Sequence, residues 1–281
     1  MSTPSAAERS QRVAAVFDRA AGTYDAVGVP WFTPIAEHLV QLVSPQPGDR
    51  ALDIGCGRGA AVWPLAKAVG TQGFVTGIDL APRMIAATAA DARNRGLDHV
   101  DLHVMDAASP GLPADTYDVI TSSLVVFFLP DPVAALGRWH DLMVPGGRLA
   151  ISTFGERDPL WVALDEVFTP YLPPQMLDAR ASGTRGPFAS NEGVAALLTG
   201  AGLVEVETAT LQVPAVFADA DHWFTWSWSH GQRAMWEAVP EPDRPQVRAA
   251  ATEVLGSATG ADGRITLDQR VRYTLARRPP G

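Results

Sequence analysis

A single cysteine, Cys56, stands in the 281 residues, which excludes an internal disulfide framework and leaves no thiolate cluster for zinc. Histidines and carboxylates do not gather at metal-ligand spacing, so no protein-held metal is expected. Long hydrophobic runs are also missing. The longest, residues 124–129, falls far short of the roughly 20 apolar residues that cross a bilayer as a helix. Positive charge is sparse: 22 Lys and Arg face 31 Asp and Glu, for a formal charge of −9. No dense basic stretch offsets that balance, so a nucleic-acid partner is not expected. Residues 1–10 are small and polar, without the apolar core of a signal peptide. These absences lead to the expectation of a cytoplasmic protein, free of membranes, working on a small molecule as a monomer or homodimer.

Hydrophobic residues make up 47% of the chain, enough for a substantial core. Val13, Val16, Phe17 and Ala20 recur at helical spacing within residues 8–21. A second helix is expected with Thr33 as cap and Pro34 in its first turn, carrying Ile35, Leu39, Leu42 and Val43. From Arg50 the pattern alternates. Strands are expected at 50–54, 74–79, 101–105, 117–123 and 148–153. Helices fall at 60–69, from Pro82 to just before Gly96, and from Pro132 behind Asp131 as cap. Units of this length imply an α/β, doubly wound sheet. The second half loses that rhythm. Residues 156–190 read as an irregular insertion containing Trp161, Phe168 and Tyr171, and Ser190 caps a following helix. A strand at 203–213 precedes helical stretches at 219–239 and 243–255. Val271, Tyr273 and Leu275 alternate in a terminal strand.

The chemical signal lies where the first strand meets the first helix of the alternating part, in Asp53-Ile54-Gly55-Cys56-Gly57-Arg58-Gly59. Glycines there let the backbone turn tightly beside a ligand, with a helix N-terminus pointing into the gap. Asp79 ends the second strand, where a carboxylate can hold ribose hydroxyls. Gly55, Gly57 and Ala60 also satisfy the dinucleotide fingerprint, which keeps an NAD-dependent oxidoreductase as an alternative. Asp53 tells against it, since a carboxylate beside the loop repels a diphosphate and suits an ammonium.

These residues resemble the first motif of class I (Rossmann-like) S-adenosylmethionine-dependent methyltransferases. Gly77-Ile78-Asp79-Leu80 resembles their second motif and Val104-Met105-Asp106-Ala107 the next. Tyr117-Asp118-Val119-Ile120 is similar to the fourth-strand motif, and Leu142-Met143-Val144-Pro145-Gly146-Gly147 to the turn before strand five. The stretch from Phe17 to Asp25 resembles the ubiquinone/menaquinone-biosynthesis group of small-molecule methyltransferases. The resemblance implies a Rossmann-like sheet of seven strands, the last antiparallel, within one domain spanning 1–281. Its N-terminal helices would occupy 8–45 and its cofactor core 49–155, with insertions at 156–190 and 219–258 covering the acceptor. It further implies S-adenosylmethionine as donor and S-adenosylhomocysteine as product. Asp79 would hold the ribose and Asp106 the adenine, with Asp53, Gly55 and Gly57 around the methionine end. Leu80, Ala107 and Ser122 would line the same site, and Tyr24 would close over it.

Methyl transfer is an in-line displacement, so the protein mainly positions the nucleophile and excludes water. Where a proton must leave, His222 is the first candidate base, since histidine as a residue type titrates near neutrality. His230 is the second, and the Tyr24 hydroxyl is a further contact to the acceptor. Trp31, Phe127, Trp161, Trp223 and Trp226 are candidate lining for a flat, lipophilic acceptor such as an indole, phenol, polyketide or terpenoid. A methyltransferase-like cyclase that binds the same cofactor without transferring methyl shares all of these motifs. Replacing Asp79 with alanine is expected to weaken S-adenosylhomocysteine binding about tenfold, the cost of one charge-assisted hydrogen bond. Calorimetric titration measures it, and an unchanged affinity removes the ribose role.

Overall fold

The computed structural model describes residues 5–173, 176 and 183–281. The chain opens with helices α1 (Ala6–Ala20) and α2 (Phe32–Val43). It continues through β1 (Arg50–Ile54), α3 (Val62–Val69), β2 (Phe74–Asp79), α4 (Pro82–Asn94), β3 (Val100–Val104), β4 (Tyr117–Ser123), α5 (Pro132–Leu142) and β5 (Met143–Phe154). The remainder comprises α6 (Pro159–Glu166), α7 (Asn191–Gly200), β6 (Val204–Phe217), α8 (Ala220–Trp228), α9 (Arg233–Ala238), α10 (Arg244–Gly256) and β7 (Ile265–Arg277).

The seven strands form one sheet in the order β3-β2-β1-β4-β5-β7-β6. β1 to β5 pair in parallel, while β7 runs antiparallel to both β5 and β6. Central strands such as β1 are buried at four of five positions, because helices cover both faces. Crossovers between parallel strands are right-handed. The step from β1 to β2 leaves the centre in one direction and the step from β4 to β5 in the other, so α3 and α5 fall on opposite faces. Trp139 of α5 is fully buried, and its indole N–H donates to the Ala107 carbonyl at 2.8 Å, tying that helix to the segment after β3. No helix among the described residues is long and apolar enough to cross a membrane.

Several boundaries differ from the sequence pattern for identifiable reasons. Helix α2 starts one residue before Thr33, and Trp31, the residue that precedes it in the cap position, makes no side-chain cap bond. The capping group is remote. The Asp25 carboxylate accepts the N–H groups of Trp31, Phe32 and Thr33 at 3.2, 3.3 and 2.9 Å, and the Thr33 hydroxyl at 2.5 Å. β3 lies one residue earlier than expected. β6 and β7 are longer than their patterns, because β7 pairs with β5 along one side and with β6 as far as Phe217–Ile265 along the other, and β5 starts earlier, at Met143, where it pairs with Tyr117 of β4. Much of edge strand β6 faces solvent, so hydrophobic alternation does not mark its ends. The 156–190 insertion contains a true helix, α6, capped by Asp158; its residues 174, 175 and 177–182 lie outside the described residues, as do 1–4 of the N-terminal segment. The expected helical stretch 219–239 is broken between Ser229 and Gln232 into α8 and α9.

Because a single carboxylate satisfies four donors at the start of α2, Asp25→Ala is expected to destabilise the fold by about 2 kcal/mol, the upper range for a lost helix cap. Asp25→Asn should lose less, since its amide oxygen still accepts. Urea unfolding of the three proteins measures both values.

Candidate active site

The loop after β1 takes its shape from glycines. Gly55 has φ +75°, and a Cβ placed there would lie 2.3 Å from Val125 Cγ2, so both conformation and space exclude a side chain. The N–H groups of Gly55 and Cys56 donate to the Ile78 carbonyl at 2.8 and 2.9 Å. Asp79 fastens the rest of the loop. Its Oδ2 accepts the Gly57 N–H at 2.9 Å and its Oδ1 the Ala81 N–H at 2.8 Å. One carboxylate thus holds both the loop and the start of α4, and it still borders a cavity. At Gly57 nothing lies within 4 Å of where a Cβ would stand, which leaves the backbone open to a ligand.

Four strand ends converge on that cavity, at the point where strand order reverses and α/β sheets bind ligands. Gly55 and Gly57 follow β1, Asp79 and Leu80 end β2, Asp106 and Ala107 follow β3, and Ser123, Leu124 and Val125 follow β4. The Asp106 carboxylate also accepts the Ala108 N–H at 2.8 Å, which fixes its turn. The remaining wall comes from Ser10, Val13, Ala14 and Phe17 of α1, with Tyr24 behind them. Helix α1 is held in place by three contacts. Asp18 accepts the Arg83 N–H at 2.7 Å, Arg58 donates to the Ala21 carbonyl at 2.8 Å, and Arg19 pairs with Glu237 of α9 at 2.5 Å.

Two carboxyl groups lie under the loop without an ion pair among the described residues. Burial pushes Asp53 up to about 7, partly opposed by the Thr121 hydroxyl that donates to it at 2.8 Å, while the charge of Asp79 adds to the rise. Burial also raises Asp79, against the backbone N–H groups that favour its ionised form. Such a pair favours a cationic neighbour, because each charge is costly in a dry site until it is matched.

Of the residues expected around a cofactor, Tyr24, Gly55, Gly57, Asp79, Leu80, Asp106 and Ala107 line the cavity. Asp53 sits below it. Ser122 faces away, its buried hydroxyl donating to the Ile54 carbonyl at 2.9 Å. Its neighbour Ser123 lines the cavity instead, since successive strand residues point to opposite faces. Of the rings expected around an acceptor, Trp226 touches Trp31 and Trp161, each at 5.9 Å between ring centres, and Phe154 links Trp31 to Phe127. Trp223 leaves this group and packs on Trp236 at 6.3 Å. His222 is held outside the cavity with both nitrogens engaged. Nδ1 accepts the Ala218 N–H at 3.2 Å and Nε2 donates to the Val27 carbonyl at 2.8 Å. It straps the insertion to the N-terminal loop.

The sequence pattern missed the α1 wall and the apolar lining by Leu124, Val125 and Leu129, while Phe128, a candidate for an apolar pocket from the sequence, does line the cavity. Both signals were present, as the apolar face of α1 and the run 124–129, but neither pattern says what such a surface covers. Leu124 adopts φ +58°, a strained conformation for a branched side chain. The Ser152 carbonyl and hydroxyl hold its N–H, each at 3.1 Å.

Around this reversed strand order, with its glycine loop and acidic strand ends at the switch point, residues 51–147 match the family model described as a methyltransferase domain. The chain is 39% identical over 280 residues to the nocamycin O-methyltransferase of Saccharothrix syringae, an alignment covering 95% of this chain and 99% of that protein. It is 45% identical over 168 residues to the aklanonic acid methyltransferase of Streptomyces sp. (strain C5), over 60% of this chain and 76% of that one. The solved (4+2)-cyclase SpnF shares the fold, with a TM-score of 0.59 at 19% identity over 100% of this chain and 98% of that one. The chain belongs to the S-adenosylmethionine-dependent class I methyltransferases.

The folded protein holds the Asp53 proton up to about pH 7, whereas an unfolded chain releases it near 3.8. Folding therefore takes up a proton between those values, and this group's contribution to stability falls as pH rises through that window. Asparagine at position 53 keeps an oxygen for Thr121 and has no proton to lose. Scanning calorimetry should show Asp53→Asn melting above the parent protein at pH 8, with the advantage shrinking towards pH 4. An advantage independent of pH would contradict the buried-proton assignment.

Proposed function

We propose that this enzyme transfers a methyl group from S-adenosylmethionine to an acidic oxygen of a small, flat, lipophilic metabolite of the polyketide or related aromatic kind. The observation that carries this reading is the continuity of the cofactor cavity with an aromatic layer. Phe17, Tyr24 and Phe128 line the cavity, and Tyr24 stacks on Phe32 at 4.6 Å towards Trp31 and Trp226. The name of the nocamycin relative supports oxygen as the acceptor atom, and both names support a natural product as the acceptor.

The residues at the cavity fit the donor. Gly57 offers open backbone, Asp79 and Asp106 offer carboxylates to hydroxyl and amino groups, and the Asp53–Asp79 pair favours a positive charge nearby. When bound, the sulfonium supplies an activated methyl carbon. The chain's own residues position the acceptor and keep water away, with α1 as roof. No histidine lines the cavity among the described residues, and its carboxylates, Asp79 and Asp106, are taken up by the donor in this reading. His222 is occupied on both nitrogens. The Tyr24 hydroxyl is pushed well above its ordinary range, first by burial and then by the charges of Asp25 and Asp79. Tyr24 therefore keeps its proton and acts as a hydrogen-bond donor and lid. The acceptor accordingly arrives already ionised, as an enol, phenol or carboxylic acid does readily. In this reading the whole chain is one working domain, with a small-molecule partner and no nucleic acid, acting in the cytoplasm.

The test is incubation with S-adenosylmethionine and a panel of hydroxyanthraquinones and hydroxynaphthoic acids, followed by mass spectrometry. Products heavier by one methyl group, with an equal amount of S-adenosylhomocysteine, are expected. Binding of S-adenosylmethionine with conversion of an acceptor but no S-adenosylhomocysteine would instead identify a cyclase. Binding of NAD alone would overturn the reading altogether.

A further inference from the structure

The break between α8 and α9 gathers polar atoms that have no partner. Among the described residues eight buried side-chain nitrogen and oxygen atoms lack one, and five of the eight belong to Trp31, Trp226, His230 and Gln232. These residues form one cluster. Trp226 meets Trp31 at 5.9 Å and 89°, His230 lies 4.1 Å from Trp226, and the N–H of Gln232 reaches His230 Nδ1 at 3.3 Å. Buried polar groups in native proteins are nearly always paired, so a concentration of groups unpaired among the described residues calls for a further partner.

The tautomer of His230 follows from its one bond. Nδ1 accepts from the backbone, so Nε2 carries the hydrogen and is the unpaired donor. Burial pushes this imidazole down to about 3, which keeps it neutral. His230 is therefore a donor, not a base. The unpaired indole Nε1 atoms of Trp31 and Trp226 can only donate. The Gln232 amide adds two donors and a single acceptor.

The cluster adjoins the cofactor cavity. Phe32 stands between Tyr24, at 4.6 Å, and His230, at 5.5 Å. On the other side a Cβ at Gly231 would lie 3.3 Å from Phe17 Cζ, and both Tyr24 and Phe17 line the cavity. Phe32 also lies parallel to Trp226 to within 21°, at 6.5 Å. A flat ligand ring that displaces Phe32 would thus stack on Trp226 and present its edge to His230.

We propose that Trp31, Trp226, His230 and Gln232 form a donor-rich acceptor subsite that selects a planar ligand bearing carbonyl or anionic oxygens. This rests on the methyltransferase reading and names the chemical class its acceptor must carry. The subsite discriminates by leaving its donors unpaired when a hydrocarbon of the same shape binds.

The experiment uses the full chain with S-adenosylhomocysteine present and two probes of similar outline, 2-methyl-1,4-naphthoquinone and 2-methylnaphthalene. Calorimetry should show the quinone binding at least about tenfold more tightly than the hydrocarbon. His230→Phe should abolish most of that preference, while His230→Gln, which keeps an N–H, should retain part of it. On the unmodified protein labelled with nitrogen-15, the indole N–H resonances of Trp31 and Trp226, assigned with Trp31→Phe and Trp226→Phe, should move downfield with the quinone alone. Equal affinities, binding of neither probe, or indole shifts common to both would overturn the subsite. Titration of S-adenosylhomocysteine into the same sample keeps the two readings apart, because failure there strikes the cofactor assignment and not the choice of probe.

Discussion

The handedness of the crossovers is the constraint from which the site follows. Once β1 leads to β2 on one side and β4 leads to β5 on the other, right-handed connections put α3 and α5 on opposite faces and leave a crevice beyond the central strands. Every group around the cavity floor hangs from that crevice: the glycine loop from β1, Asp79 from β2, Asp106 from β3 and the segment 123–125 from β4. The hydrogen bonds from Asp79 to Gly57 and Ala81 then fix the loop at a single height. Without the reversal of strand order, the same motifs would lie along the sheet edge and never meet.

The electrostatics of the crevice have the opposite character to those of a phosphate site. Asp53 and Asp79 are buried together, and burial holds both above the ordinary carboxylate range. A dry pair of acids is stable only while a proton or a cation is shared with it. That cost explains why the loop can follow a dinucleotide-like glycine pattern and yet serve a ligand with positive charge. It also gives a physical reason for the Thr121 hydroxyl beneath Asp53, which eases the ionised form.

The second half of the chain works on the first through rings and straps. The Arg19–Glu237 pair joins α1 to α9, and the His222–Val27 bond joins α8 to the loop before α2. The roof of the cofactor cavity and the aromatic insertion are therefore mechanically connected. Exposed ion pairs contribute little to stability. Most of the hold comes from buried aromatic contacts such as Trp31 with Trp226. The same rings that close the core carry the unpaired N–H groups, which is how one segment can serve both packing and recognition.

The alternating core was legible from residue order because its signals are local. Strands buried on both faces are short apolar runs, glycines mark the loop, and Asp131 with Pro132 announces a helix; β1, β2 and β4 fall where those patterns put them. The ordered motifs likewise carried Asp79 and Asp106 to the cavity. Distance along the chain hid the rest. Asp25 caps a helix seven residues away, β7 extends because two partners pair with it, and Ser123 replaces Ser122 by the phase of one strand. His222 and His230 look alike in sequence, eight positions apart on one helical stretch. Only the tertiary contacts separate them, spending both nitrogens of His222 on the backbone and leaving His230 Nε2 unpaired. The sequence by itself determined the class of fold and the cofactor floor, since these rest on periodicity and on residues near one another in the chain. The roof, the role of each histidine and the partners of the tryptophans were decided by the tertiary structure, because each depends on which distant surfaces meet.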